Sequence, residues 1–118
     1  MRILLAVDGS LSSDRATELV STFPLPPESV IRVVAVQQPF VDVLAMSWAS
    51  VGESGIGDET EEERDARHLR DAIERAEIAL KRPDLTLEGR LVRGRPASAI
   101  VDEAGAMEAD LVVLGSRG

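Results

Sequence analysis

The sequence predicts an α/β fold, an open parallel sheet in three layers with helices on both faces. Three observations carry that reading. Apolar runs at residues 3–7, 30–36, 85–91 and 111–114 are separated by stretches with helical spacing. All but the run at 85–91 are near-continuous rather than alternating, as strands covered on both faces are. Serine, glycine and proline stand at the junctions, where caps and turns need them. A β-α-β-α-β-α-β alternation of this kind requires right-handed crossovers between parallel strands.

Each element has its own signal. Residues 3–7 close on Asp8-Gly9-Ser10, a strand followed by a turn. Ala16, Leu19, Val20 and Phe23 then fall at helical spacing. Serines at 10, 12 and 13 offer caps, and Pro24, Pro26 and Pro27 stop the helix. Residues 30–36 form a second buried strand that carries Arg32. Residues 38–59 lack periodicity and contain Gly52, Gly55 and Gly57, which predicts a long loop. Its Met46, Trp48 and Val51 either cover a pocket or partner, or tuck onto the body. From Thr60 a long helix follows, with Ala66, Leu69, Ile73, Ala76 and Leu80 as its stripe and Pro83 as its end. Leu85, Leu87, Gly89 and Leu91 alternate with polar residues, the pattern of a half-exposed edge strand. Gly94-Arg95-Pro96 opens a helix, since proline suits the first turn, and its stripe is Ala97, Ile100, Val101 and Ala104. Leu111 to Leu114 is a fourth buried strand, ending in Gly115-Ser116-Arg117-Gly118.

Composition narrows the function. At 118 residues the chain reads as one domain over 1–118, able to bury its own core. No apolar run approaches the roughly 18 residues that span a bilayer, and the start is too short for a secretion signal, so the expectation is cytoplasmic. The absence of cysteine excludes disulfides, thiolate metal sites and cysteine nucleophiles. A net charge of −8 and a pI near 4.6 oppose binding to phosphate backbones. Aromatics at 3% leave no stacking platform for bases, so neither nucleic acid nor membrane is an expected partner. Residues 58–65 hold six acids against Arg64 alone, which reads as a solvated helix start or, alternatively, a site for a cation or basic partner.

Ligands of such sheets sit at the carboxyl ends of the strands, near the point where strand order reverses. Three familiar nucleotide and phosphate motifs are absent there. Asp-Gly-Ser-Leu-Ser-Ser stands where a dinucleotide fold needs Gly-x-Gly-x-x-Gly, and the sole lysine, Lys81, is far from any glycine loop. Arg93-Gly94 stands where a receiver domain needs its aspartate. Gly115-x-x-Gly118 either ends a strand sterically or lets backbone N–H groups approach an anion, with Arg117 adding charge. Asp8 either bonds the following turn or faces a ligand. Ser10 reads as a helix cap. The sole histidine, His68, lies on a charged helix with no partner for nucleophilic or metal chemistry, so no catalytic residue is assigned.

Taken together, Ile3 through Ser10, Gly94-Arg95-Pro96-Ala97 and Ala109 through Gly118 resemble the universal stress protein family over the whole chain. The resemblance implies a Rossmann-like fold of the adenine nucleotide alpha hydrolase type, with strand order 3-2-1-4. It implies ATP, with or without Mg2+, as ligand. Asp8 and Val36 then match the adenine positions, Ala6 and Val7 the floor, and Gly94 the ribose loop. Leu114, Gly115, Ser116, Arg117 and Gly118 match the start of the phosphate cradle. The family pattern runs on to a second cradle segment, a helix and a fifth strand, whereas this chain stops at Gly118. A homodimer is expected, with its interface at the open apolar edge of strand four or through the segment that follows it in the family pattern. The leading expectation is a regulatory adenine-nucleotide binder of the stress response, with at most slow ATP hydrolysis. The alternative is a nucleotide-free dimeric module that acts through partner binding. A nucleotidyl-transferring enzyme is weaker, because neither His-x-x-His nor Ser-Gly-Gly-x-Asp-Ser occurs.

Overall fold

A strand with apolar side chains on both sides needs cover on both faces, and the chain supplies it for its first two strands. The computed structural model describes residues 1–39 and 60–115. The expected loop therefore lies outside them except at Gln38 and Pro39. In chain order the elements are β1 (Arg2–Ala6), α1 (Leu11–Ser21), β2 (Ser29–Gln37), α2 (Glu61–Leu80), β3 (Leu85–Arg93), α3 (Pro96–Met107) and β4 (Leu111–Leu114). The sheet runs β3-β2-β1-β4 with every pair parallel, the order the resemblance implies.

Local chemistry sets each helix. The Ser10 hydroxyl caps α1 by accepting the Ser13 N–H at 3.2 Å. Thr60 and Glu63 close a capping box on α2, and Glu61, Glu62 and Glu63 sit in its first turn, where the helix dipole favours acids. Pro96 opens α3, and Glu108 ends it in the left-handed region at φ 55°.

Side-chain alternation in β1 and β2 feeds two cores. Ile3, Leu5, Val7, Ile31, Val33 and Ala35 point to the face under α1 and α2, against Val20, Leu69, Ile73, Ala76 and Leu80. Leu4 and Val34 point to the other face, against Met107, Ile100 and Ala104 of α3. On that second face Arg32 bridges Glu88 of β3 at 3.0 Å and Glu103 of α3 at 3.2 Å. The network binds three elements where apolar cover is thin.

Some expected core positions are exposed. Leu19 is 54% exposed, because α1 turns Ser13, Ala16, Thr17 and Val20 inward instead. Val101 is 68% exposed and Ala97 is also exposed, because α3 seats Ile100, Ala104 and Met107. β4 is not covered on both faces. Leu111 and Val113 pack under the helices of the first face, but Val112 and Leu114 remain 38% and 55% exposed. The cause is position: β4 ends the described sheet, and α3 lies over β1 and β2 rather than over it.

Candidate functional site

The strand order creates an opening. From β1 the chain crosses to β2 and then β3 through α1 and α2 on one face; α3 carries it back over the other face to β4. Strand order thus reverses between β1 and β4, where the crossovers diverge and leave a crevice at the carboxyl ends. A cleft of about 430 Å³ occupies that place, within the range of small-molecule sites.

Its walls come from five elements or their ends. β1 contributes Ala6 and the residues after it, Val7 and Asp8; β2 contributes Val36 and the following Gln38. Leu114 and Gly115 close the side at β4, Ser13 comes from α1, and Pro96 and Ile100 come from α3. Ala6, Val36 and Leu114 share the face toward α3, since Ala6 pairs with Val34 and with Leu114 in the ladder. An apolar floor therefore meets a polar rim of Asp8, Ser13 and Gln38.

The rim is fixed by short bonds. Asp8 Oδ1 accepts the Ser10 N–H at 2.8 Å, so the carboxylate does bond the following turn, which holds it at the mouth of the cleft. Gly9 sits at φ 84°, a left-handed conformation that side chains resist. The His68 ring lies against it: a Cβ on Gly9 would fall 2.5 Å from His68 Nε2. His68 is thus exposed but packed on the turn, outside the cleft wall. Gln37 is buried and donates from Nε2 to the Glu62 carbonyl at 2.9 Å, while Arg93 pairs with the Glu62 carboxylate. Those bonds moor the start of α2 to the same end of the sheet.

Gly115 is demanded by sterics. A Cβ there would lie 2.5 Å from the Ser12 carbonyl carbon and 2.7 Å from the Ser13 nitrogen, both backbone atoms. The end of β4 can reach the start of α1 only as glycine.

Of the residues singled out in the sequence, Ala6, Val7, Asp8, Val36, Leu114 and Gly115 converge on this one cleft. Gly94 stands beside it at φ 145°, its N–H donating to the Gln37 carbonyl at 3.0 Å. Ser116, Arg117 and Gly118 lie outside the described residues. Sequence reasoning puts Gln38 and Pro96 at strand ends without assigning them to the site, and it misses Ser13 and Ile100. Ser13 and Pro96 had been explained as caps and Ile100 as core, and only the fold shows a second use. Among the described residues no group of three or more acidic or histidine side chains converges on a metal position.

The universal stress protein family model matches residues 1–118. The chain belongs to the universal stress protein family. No curated protein sequence matches it significantly. Among solved structures of the family, UspA from Lactobacillus plantarum is 19% identical with a TM-score of 0.67, covering 100% of this chain and 80% of that one. A family protein from Arabidopsis thaliana with AMP bound is 18% identical with a TM-score of 0.64, covering 100% and 78%. A universal stress protein in complex with cAMP is 23% identical with a TM-score of 0.59, covering 95% and 69%. At these identities the likeness is one of fold.

Proposed function

We propose that the cleft binds an adenine nucleotide, ATP or AMP, and that the protein is a regulatory, cytoplasmic, homodimeric universal stress protein with one domain over residues 1–118. The observation that carries this reading is the convergence of Asp8, Val36 and Gly115 on one apolar-floored cleft at the strand-order reversal. Ala6, Val36, Leu114 and Ile100 suit the flat apolar face of a purine. Asp8 suits its exocyclic amine, a donor that a carboxylate accepts strongly. The Val36 backbone completes the adenine edge, and Gly94 lies toward the ribose. Gly115, bare of side chain, leaves a path for phosphates toward Ser116, Arg117 and Gly118. Family members with AMP and with cAMP bound support the ligand class. Mg2+ is proposed only as a companion of the phosphates.

Calorimetry with ATP and AMP tests the reading. Asp8→Asn retains an acceptor for the Ser10 turn but loses the charge, and we expect affinity to fall by roughly tenfold, the usual scale for one charged hydrogen bond. Failure of both nucleotides to bind at millimolar concentration would overturn the proposal in favour of the nucleotide-free interaction module. Unchanged affinity in Asp8→Asn would remove Asp8 from the adenine site alone.

A further inference from the structure

α2 reaches over the turn that follows β1. The His68 ring lies where a side chain at residue 9 would stand: a Cβ there would meet Nε2 at 2.5 Å, Cε1 at 3.0 Å and Cδ2 at 3.4 Å. Gly9 stands between two anchored flanks. Before it, the Val7 N–H donates to the Val34 carbonyl at 2.9 Å. After it, Ser10 starts α1, its carbonyl accepting the Asp14 N–H at 3.0 Å and its hydroxyl the Ser13 N–H at 3.2 Å. Gly9, at φ 84° and with the backbone freedom of a glycine, is the joint where the turn can give.

We infer that His68 is a positioning residue for the cleft: its ring bars Gly9 from swinging toward α2 and so keeps the Asp8 carboxylate at the rim. The inference rests on the nucleotide reading of that rim. Asp8 is exposed, and the 2.8 Å bond it accepts from the Ser10 N–H competes with water. A bond of that kind holds a carboxylate weakly. A ring packed on the turn removes alternative conformers without any further hydrogen bond. Asp8 then meets a ligand already ordered, and binding loses less conformational freedom.

The ring has its own support. Leu69, beside it in α2, is buried in the core, and the helix start is moored through Glu62. The Glu62 carbonyl accepts from Gln37 Nε2 at 2.9 Å, and its carboxylate pairs with Arg93. The first turns of α2 are thus fastened to the ends of β2 and β3, and from there the ring presses on the end of β1. His68 itself is exposed and makes no hydrogen bond or ion pair among the described residues. Beyond it lies a shallow depression that it lines with Glu61, Arg64 and Asp65. Removing the ring therefore leaves no hole in the core, and its effect on the turn can be measured apart from folding.

Calorimetry with AMP and ATP on H68A, H68Q and D8A chains, beside amide hydrogen exchange of the ligand-free protein, tests it. H68A should weaken both nucleotides by about fivefold and hasten exchange of the Ser10 N–H by a similar factor, with circular dichroism unchanged. H68Q, whose flat amide stands in for the ring edge, should restore most of both. In the D8A background H68A should cost no further affinity, because the ring acts through Asp8, whereas independent losses multiply. Unchanged Ser10 exchange in H68A overturns the inference, as does an equal affinity loss with and without Asp8. If the parent chain binds neither nucleotide, the cleft reading fails by itself; faster Ser10 exchange in H68A then still upholds the ring's hold on the turn.

Discussion

The two faces of the sheet are built from the same strands and do different work. Under α1 and α2, odd-numbered residues of β1 and β2 lock into a large core with the stripe of α2. Under α3, even-numbered residues meet one helix, and the buried set is Leu4, Val34 and Met107. The first face is sealed; the second is left open at β4 and carries both the Arg32 network and the floor of the cleft. Among the described residues no helix covers the margin of the incomplete face, which leaves room there for a ligand. The pleat of a single strand thereby separates the sealed core from the floor of the cleft.

That difference is broken most directly at neighbouring positions of β1. Leu5 and Leu4 are both fully buried, on opposite faces. Leu5→Ala empties a site walled by β-strands and two helices and should cost about 4 kcal/mol; Leu4→Ala, beneath α3 alone, should cost nearer 2–3 kcal/mol. Denaturant melts of both variants measure this. Equal costs would mean that the α3 face is as tightly packed as the other.

Gly115→Ala comes next, at about 2 kcal/mol. The new methyl would meet backbone of Ser12 and Ser13, which cannot swing aside as a side chain can. Thermal melting should show the loss, and nucleotide affinity should fall with it, since the change pushes β4 from α1 at the cleft wall. Retained stability would show that the two ends separate freely.

Glu103→Gln probes the network that substitutes for apolar cover. Arg32 and Glu103 have side chains 18% and 14% exposed, so screening is partial and the loss should reach about 1–2 kcal/mol. Glu108→Gln should change stability little: its partner Arg2 and Glu108 itself have side chains 52% and 81% exposed. Denaturant midpoints compare the two. A loss at Glu108 as large as at Glu103 would make the network an ordinary surface feature.

The legible part of this architecture was its periodicity. Continuous runs gave β1 and β2, and alternation marked β3 as an edge. Caps at Ser10 and Thr60 placed two helix starts, and the motif at Asp8, Val36 and Gly115 put one side of the cleft in view. What periodicity cannot show is how far a covering helix extends. Val112 and Leu114 are as apolar as Leu4, yet α3 leaves them open because it lies over other strands. Leu19 and Val101 fall about a hundred degrees from the residues their helices bury, an error that a stripe of similar aliphatic residues invites. Ile100 has a sufficient local explanation as a core residue, so nothing in the chain alone flags its place in the cleft wall.

The smallest expected effect has the opposite sign. Gly105 lies in the last turn of α3, and a Cβ built there meets nothing within 4 Å. A helical glycine costs about 0.5–1 kcal/mol relative to alanine, because its unfolded chain has more freedom to lose. Gly105→Ala should therefore raise the melting temperature by a few degrees, where the same methyl at Gly115 lowers it. Glycine at 115 is set by contact; glycine at 105 leaves space beside α3 on its outer side. A fall in melting temperature for Gly105→Ala would mean that something packs on that space in solution.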